Sequence, residues 1–312
     1  MFFLPVLTAI FAILFFAVLP ISGALFVRST WHVFRKTLIS AESLPVLTKK
    51  EILNTACTEY PCRAYGIIDA IGTDESVWVS IDGASIKVFL ENVPIYLLSG
   101  SRRYGRARNR KEEFSVERYL WKSMPSIPVG NSVFITGIFT HIDGMPVFLQ
   151  REDSKPIILI HDVPQQYVIY LAVFAGRPVN EYWNPFTKVS LALGLFAMTG
   201  IIIGVMSIKF ISLIAAISLT LAFSPILPFL PPGIAGFALY RRFWRRARYF
   251  RARRDVTLLR TSSQMLYGKP SKKDIMYWKR LALINLLLSG FFFIAGYIVN
   301  AILVFVLLRS LL

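Results

Sequence analysis

Along this chain the apolar positions change their pattern twice. Residues 1–27 carry no charged side chain before Arg28, residues 189–240 carry only Lys209, and residues 281–308 carry none. About 20 apolar residues in helical form cross the hydrocarbon core of a bilayer. The first run therefore predicts a retained membrane helix over 1–27. The alternative is a signal peptide cut near Ser22-Gly23-Ala24, but the start of the chain has no basic residues and the apolar stretch is long for such a peptide. Residues 189–239 would measure about 75 Å as one helix, which predicts two spans joined by a turn near 206–210. Pro225, Pro228, Pro231 and Pro232, with Gly233 and Gly236, mark the exit of the second of these. The run 281–308 is the fourth span. Gly200 and Gly204 have a small-xxx-small spacing that permits close helix approach. Asn300 offers a helix–helix hydrogen bond, with a substrate contact as the alternative.

Between the first and second runs the period falls to two. Residues 63–70, 76–81, 85–90 continuing to 98, 132–141, 145–150 and 155–161 are rich in β-branched and aromatic side chains. They are punctuated by Gly72, Asp82-Gly83, Gly130-Asn131 and Asp143-Gly144. Asp-Gly signals a hairpin, because its two-residue turn needs positive φ. Phe114, Val116, Tyr119, Leu120 and Met124 recur near helical spacing, so residues 112–124 are expected to be a helix. Three strands, a helix and further strands give the element order of a small OB-type barrel. The fold expected is thus a multi-pass α-helical membrane protein of about four spans with an inserted, OB-like α+β domain. The divisions are 1–27 (first span), 28–62 (juxtamembrane linker), 63–165 (β domain), 166–188 (linker), 189–239 (two spans), 240–280 (basic amphipathic loop) and 281–308 (last span).

Composition supports the membrane reading: 55% of residues are hydrophobic, 17% are charged, and the mean hydropathy is +0.55. Soluble domains carry about 25% charge. The net charge of +17 resembles that of a nucleic-acid binder until it is mapped. Residues 28–188 hold 19 Lys/Arg against 16 Asp/Glu, whereas 240–280 hold 14 against only Asp255 and Asp274. An excess confined to one segment between apolar runs points to a membrane surface rather than to nucleic acid. Basic segments stay on the cytoplasmic side. Counting back through two spans puts residues 28–188 on that side too, and Arg28, Arg35 and Lys36 agree.

Two basic surfaces follow. Arg241, Arg242, Phe243, Trp244, Arg245, Arg246, Arg248, Arg251, Arg253 and Arg254 directly follow a membrane exit. On a helix, Tyr240, Phe243, Trp244, Ala247 and Phe250 share a face, so the segment is expected to lie along a bilayer with anionic headgroups. Arg102, Arg103, Arg106, Arg108 and Arg110 form a loop suited to an anionic partner, or simply solvated and partly neutralised by Glu112 and Glu113.

No catalytic set, metal site or cofactor is expected. His-Glu-x-x-His, Gly-x-Ser-x-Gly and phosphate-loop spacings do not occur. His141 with Asp143, and His161 with Asp162, are acid–imidazole pairs at strand ends with no evident nucleophile. Cys57 and Cys62 lack the further ligands that zinc needs, and a disulfide between them requires an oxidising compartment.

The stretches Ile127-Pro-Val-Gly130-Asn-Ser-Val-Phe-Ile-Thr-Gly137, Gly144-Met-Pro-Val-Phe-Leu149 and Ile157-Ile-Leu-Ile160 resemble the closing hairpin of membrane-anchored GIDE domains of the MULAN type. NfeD-like membrane proteins are similar to a comparable degree. The resemblance spans about 40 residues of strand pattern and implies an OB-type domain with an adaptor-like role. No Cys/His-rich RING segment follows, so ligase activity is not implied. The function expected is a membrane scaffold or regulatory protein whose β domain binds a protein partner, a second copy or the membrane surface. The alternatives are a transporter or channel subunit and a membrane enzyme.

Overall fold

The computed structural model describes residues 3–54, 59–72, 75–91, 93–99, 114–124, 129–149, 156–177, 182–207, 212–262 and 272–311. The chain divides into two compact units. One is formed by Met1–Thr30, Asn180–Arg251 and Met276–Leu312, the other by Trp31–Val179 and Ala252–Ile275.

The first unit is helical. Helix α1 (Phe3–Ile13) runs through a π-helical segment (Leu14–Val18) into α2 (Leu19–Ala41), so the expected linker after residue 27 is helical as far as Ala41. Three helices are long and apolar enough to cross a membrane: Pro5–Ala41, Pro185–Gly204 and Lys272–Leu311. Only 22, 22 and 6% of their most apolar windows are covered by the rest of the chain. The expected third span over 210–239 is divided. It comprises α6 (Ser212–Ala222), turns, a 3-10 turn at Leu227–Phe229 and the start of α7 (Gly233–Ser262). Prolines at 225, 228, 231 and 232 lack the N–H that would carry a helix through this region. The expected joint at 206–210 falls largely outside the described residues.

Close approach of helices within this unit depends on glycine, but not at the expected positions. A Cβ on Gly194 of α5 (Pro185–Ser207) would lie 2.8 Å from Phe15 Cβ. There Ser190 Oγ also donates to the Phe15 carbonyl at 2.5 Å, satisfying backbone inside the π-helical segment. At Gly200 and Gly204 an added Cβ meets nothing within 4 Å among the described residues. Among the described residues no helix packs on that stripe.

The second unit is built on one sheet of eight strands: β1 (Tyr60–Ile71), β2 (Ser76–Ile81), β3 (Ala84–Phe89), β4 (Pro94–Ser99), β5 (Ser115–Leu120), β6 (Ser132–Ile142), β7 (Met145–Leu149) and β8 (Ile157–His161). Five of them, in the order β1-β2-β3-β7-β6, close on β1 to make a barrel, with β3 and β7 parallel. Its interior holds Val79, Ile86, Val88, Ile135, Phe139 and Phe148, all fully buried. The Asp-Gly turns form as expected: Asp82 and Gly83 take φ of 50° and 81°, Asp143 and Gly144 of 51° and 78°.

Strand β6 has more neighbours than an ordinary strand. One edge pairs with β1 from Ser132 to Phe139. The other is shared, with Ser132–Thr136 pairing β8 and Ile138–Ile142 pairing β7. Gly137 stands at the switch, where a Cβ would press on Pro156 Cβ at 3.2 Å and Phe148 at 3.3 Å. From β8 the sheet continues to β4 and β5.

Two expectations fail here. The described part of the expected helix 112–124 is strand β5 followed by a 3-10 turn at Trp121–Ser123. Six register pairs to β4, from Pro94↔Leu120 to Ser99↔Ser115, outweigh the loose helical spacing. The expected strand 85–98 is also two strands. The chain turns at Leu90–Val93, where Val93 N donates to Leu90 O, and leaves the barrel before β4. The expected linker 166–188 contains a buried helix, α4 (Val168–Ala175).

Candidate functional site

The basic segment of α7 is the feature that the sequence singles out most strongly. Within the first unit, α7 runs antiparallel to α8 (Lys272–Leu311). Their closest approach is at glycines, since a Cβ on Gly236 would lie 2.8 Å from the Phe292 carbonyl and 3.1 Å from Gly296 Cα. One further turn along, Tyr240 meets Phe293 with ring centroids 5.4 Å apart. Phe243 then stacks on Phe292 at 5.4 Å with planes 7° apart, and Phe250 stacks on Trp278 at 5.9 Å.

Of the aromatic face expected to lie on a bilayer, Tyr240, Phe243 and Phe250 therefore pack against α8, whereas Trp244 packs on Tyr182 and Tyr240. The physical reason is area: a ring buried against a second helix leaves water and also gains stacking. The arginines sort accordingly. Arg241, Arg242, Arg245 and Arg246 are exposed, as is Arg253, whereas Arg251 is half-buried. Arg248 is buried, its guanidinium 3.8 Å above the ring of Trp244. Among the described residues no carboxylate lies within ion-pair distance of Arg241, Arg242, Arg245 or Arg246.

Asp255 is held elsewhere. In the second unit it takes Arg254 Nη2 at 2.8 Å, Arg177 Nε at 2.5 Å and Arg35 Nε at 3.9 Å. Arg35 also donates to the Gly176 carbonyl at 3.0 Å. Two expected surface arginines, Arg35 after the first span and Arg254 on α7, thus serve a buried ionic cluster. Breaking such a cluster by removing one partner is strongly destabilising.

Asn300 makes three backbone contacts at the proline-rich break. Its Nδ2 donates to the carbonyls of Leu227 at 2.5 Å and Leu230 at 2.7 Å, and its Oδ1 accepts from Gly233 N at 3.3 Å. Of these, the Gly233 N–H is one of the donors a helix start leaves without a helical partner, while the Leu227 and Leu230 carbonyls each accept one backbone bond besides, from Leu230 N and Ile234 N. Asn300 is fully buried, and its amide is committed to them rather than to a substrate.

The strand-end imidazoles do not form a reactive pair. His141 Nε2 lies 2.8 Å from the Ile52 carbonyl; a carbonyl only accepts, so Nε2 carries the proton. The bond ties α3 (Lys49–Leu53) to β6. His161 is buried, which holds its pKa below the ordinary histidine value despite Asp162 beside it. Burial, with Glu51 adding to it, pushes the Cys62 thiol up to about 12, so it stays protonated and inert. Cys57 lies outside the described residues, as do Arg102, Arg103, Arg106, Arg108 and Arg110. Among the described residues no group of three His, Cys, Asp or Glu side chains could hold a metal ion.

Comparison of the chain with protein-family models, with curated proteins and with solved structures finds no match. What it does is argued from its own residues.

Proposed function

We infer that the chain is a multi-pass membrane scaffold or regulatory protein, with α7 fixing where the bilayer ends and with the β domain on the cytoplasmic side. The observation that carries this is the exposed quartet Arg241, Arg242, Arg245 and Arg246, unpaired by any acid among the described residues. It begins one turn beyond an apolar helix pair in tight glycine contact.

Energetics place the boundary. Each arginine held at mid-membrane costs about 2.5–3.5 kcal/mol, whereas a leucine or isoleucine withdrawn from it forfeits only about 0.3–0.6. Judged by the Gly236–Gly296 and Phe243–Phe292 contacts, the quartet lies alongside residues 286–291 of α8. Keeping four arginines out of the hydrocarbon saves on the order of 10 kcal/mol, against about 2 lost at Leu283, Ile284, Leu287 and Leu288. The membrane part of α8 is then about 291–311, roughly 30 Å long. On this reading the membrane part of α8 starts about ten residues later than the sequence-based span of 281–308.

The closed order β1-β2-β3-β7-β6 with β3 and β7 parallel supports an OB-type reading of the barrel, with β4 and β5 inserted where such barrels carry a helix. A fourth crossing, by the short α6 and the start of α7, completes the proposed topology. Positive residues on both 28–188 and 240–280 favour a common side for them.

Amide hydrogen exchange of the full chain in nanodiscs tests the surface role. In anionic lipid, amides of 240–251 are expected to exchange several-fold more slowly than in zwitterionic lipid. The difference is expected to shrink at high salt and to vanish in the Arg241→Gln/Arg242→Gln/Arg245→Gln/Arg246→Gln variant. Exchange indifferent to lipid charge would remove the surface role.

A further inference from the structure

The α7–α8 contact leaves a groove of about 220 Å³. Gly236 and Leu239 of α7 and Phe292, Ala295 and Gly296 of α8 line it, with Pro232 and Val299. It lies beside the place where the two backbones touch at Gly236 and Gly296. On α7 its stripe of positions 232, 236 and 239 continues, at helical spacing, to Phe243 and Arg246. Phe243, stacked on the lining residue Phe292, is the next position of this stripe towards the arginines. The guanidinium of Arg246 sits 6.0 Å from the Phe243 ring centre, and Arg242 is its exposed neighbour one turn back.

We propose that this groove and the arginines at its end form a site for one anionic phospholipid, with an acyl chain against Gly236 and Gly296 and the headgroup phosphate on Arg242 and Arg246. The inference rests on reading α7 as the membrane-surface helix and adds a defined stoichiometry to it. The occupant follows from size and chemistry. A partner helix is about 10–12 Å across with its side chains, too wide for a groove of this volume, and the lining carries no polar side chain to orient a soluble ligand. A flexible hydrocarbon chain fills such a space through van der Waals contact, which is what drives packing where lipid is the solvent. Guanidinium donors match phosphate oxygens with charge-assisted hydrogen bonds. An apolar slot leading to two acid-free arginines therefore has the order of parts of a phospholipid: tail, then charge.

Native mass spectrometry of the full chain in detergent, with phosphatidylglycerol or phosphatidylcholine added, tests it. One phosphatidylglycerol per chain is expected to be retained through delipidation, with phosphatidylcholine retained at least tenfold less. Ala295→Phe and Val299→Phe each fill the groove without touching the glycine contact. Each is expected to abolish retention while the lipid-charge dependence of hydrogen exchange at 240–251 persists. Arg242→Gln/Arg246→Gln is expected to lower phosphatidylglycerol retention roughly tenfold or more. Retention unchanged in monodisperse Val299→Phe, or equal retention of both lipids, overturns the site and leaves the surface role standing. Loss of the exchange effect in the unaltered chain overturns both.

Discussion

Asn300 bonds the backbone of the proline-rich break at three points. Replacing it by leucine leaves the Gly233 N–H without its partner, while the Leu227 and Leu230 carbonyls each keep one backbone donor, Leu230 N and Ile234 N. In protein interiors an orphaned group costs about 1–3 kcal/mol, so Asn300→Leu is expected to destabilise the chain by about that much, measured as a lower unfolding midpoint in detergent. An unchanged midpoint would mean that lipid or water already serves this group. His161 gives a prediction of a different kind. Burial lowers its folded-state pKa below the unfolded value of 6.5, so the folded barrel favours the neutral ring. Its contribution is complete above that value and declines as pH falls through it, because the unfolded chain then binds the proton more readily. Hydrogen-exchange protection at β6 and β8, corrected for the intrinsic exchange rate at each pH, is expected to fall below about pH 6.5, and His161→Leu to flatten the dependence. Cys62, with a thiol pushed up to about 12, is expected to resist maleimide at about pH 8 in a Cys57→Ser chain and to react on unfolding.

Among the elements, α7 decides most. Its glycine contact with α8 predicts that Gly236→Leu, forced against the Phe292 carbonyl and Gly296, costs about 1–3 kcal/mol or more by overpacking. Gly200→Leu, which meets open space, is expected to change the unfolding midpoint by no more than about 0.5 kcal/mol. The contrast shows what spacing alone carries. Gly200 and Gly204 have the better-known pattern, yet the helices of this chain meet at Gly194, Gly233, Gly236 and Gly296, because contact depends on which faces the topology turns together. The aromatic face of α7 was legible as a face; that α8 covers most of it was not, since nothing local to residues 240–250 records partners 28–53 positions later. In the β unit, the Asp-Gly hairpins and most strands were legible because alternation and turn chemistry are local signals. Strand β5 was misread as a helix because Val116, Tyr119 and Leu120 suit either period over so short a stretch, and only pairing with β4 selects between them. The five-fold closure likewise depends on β6 dividing one edge between β7 and β8 at Gly137, a feature of registry rather than of composition.

At the scale of the whole molecule, charge and hydrophobicity act on different parts of the chain. The apolar helices demand a medium other than water, since little of their surface is covered from within. On the proposed reading, arginine then sets how far they enter it. The site at the α7–α8 contact was half visible in the sequence: the arginines stood out, while the groove beside them required two helices to be placed together. The most direct measurement is a single-cysteine scan of α8 in nanodiscs, in a Cys57→Ser/Cys62→Ser background, with a membrane-impermeant maleimide. Leu283, Leu287, Ile294, Ile298 and Ile302 are all exposed within the chain, so only lipid can shield them. Cysteines at 283 and 287 are expected to label, and those at 294, 298 and 302 to be protected. Labelling at all five would contradict membrane insertion of α8, and protection at 283 and 287 as well would contradict a bilayer boundary set by Arg241–Arg246.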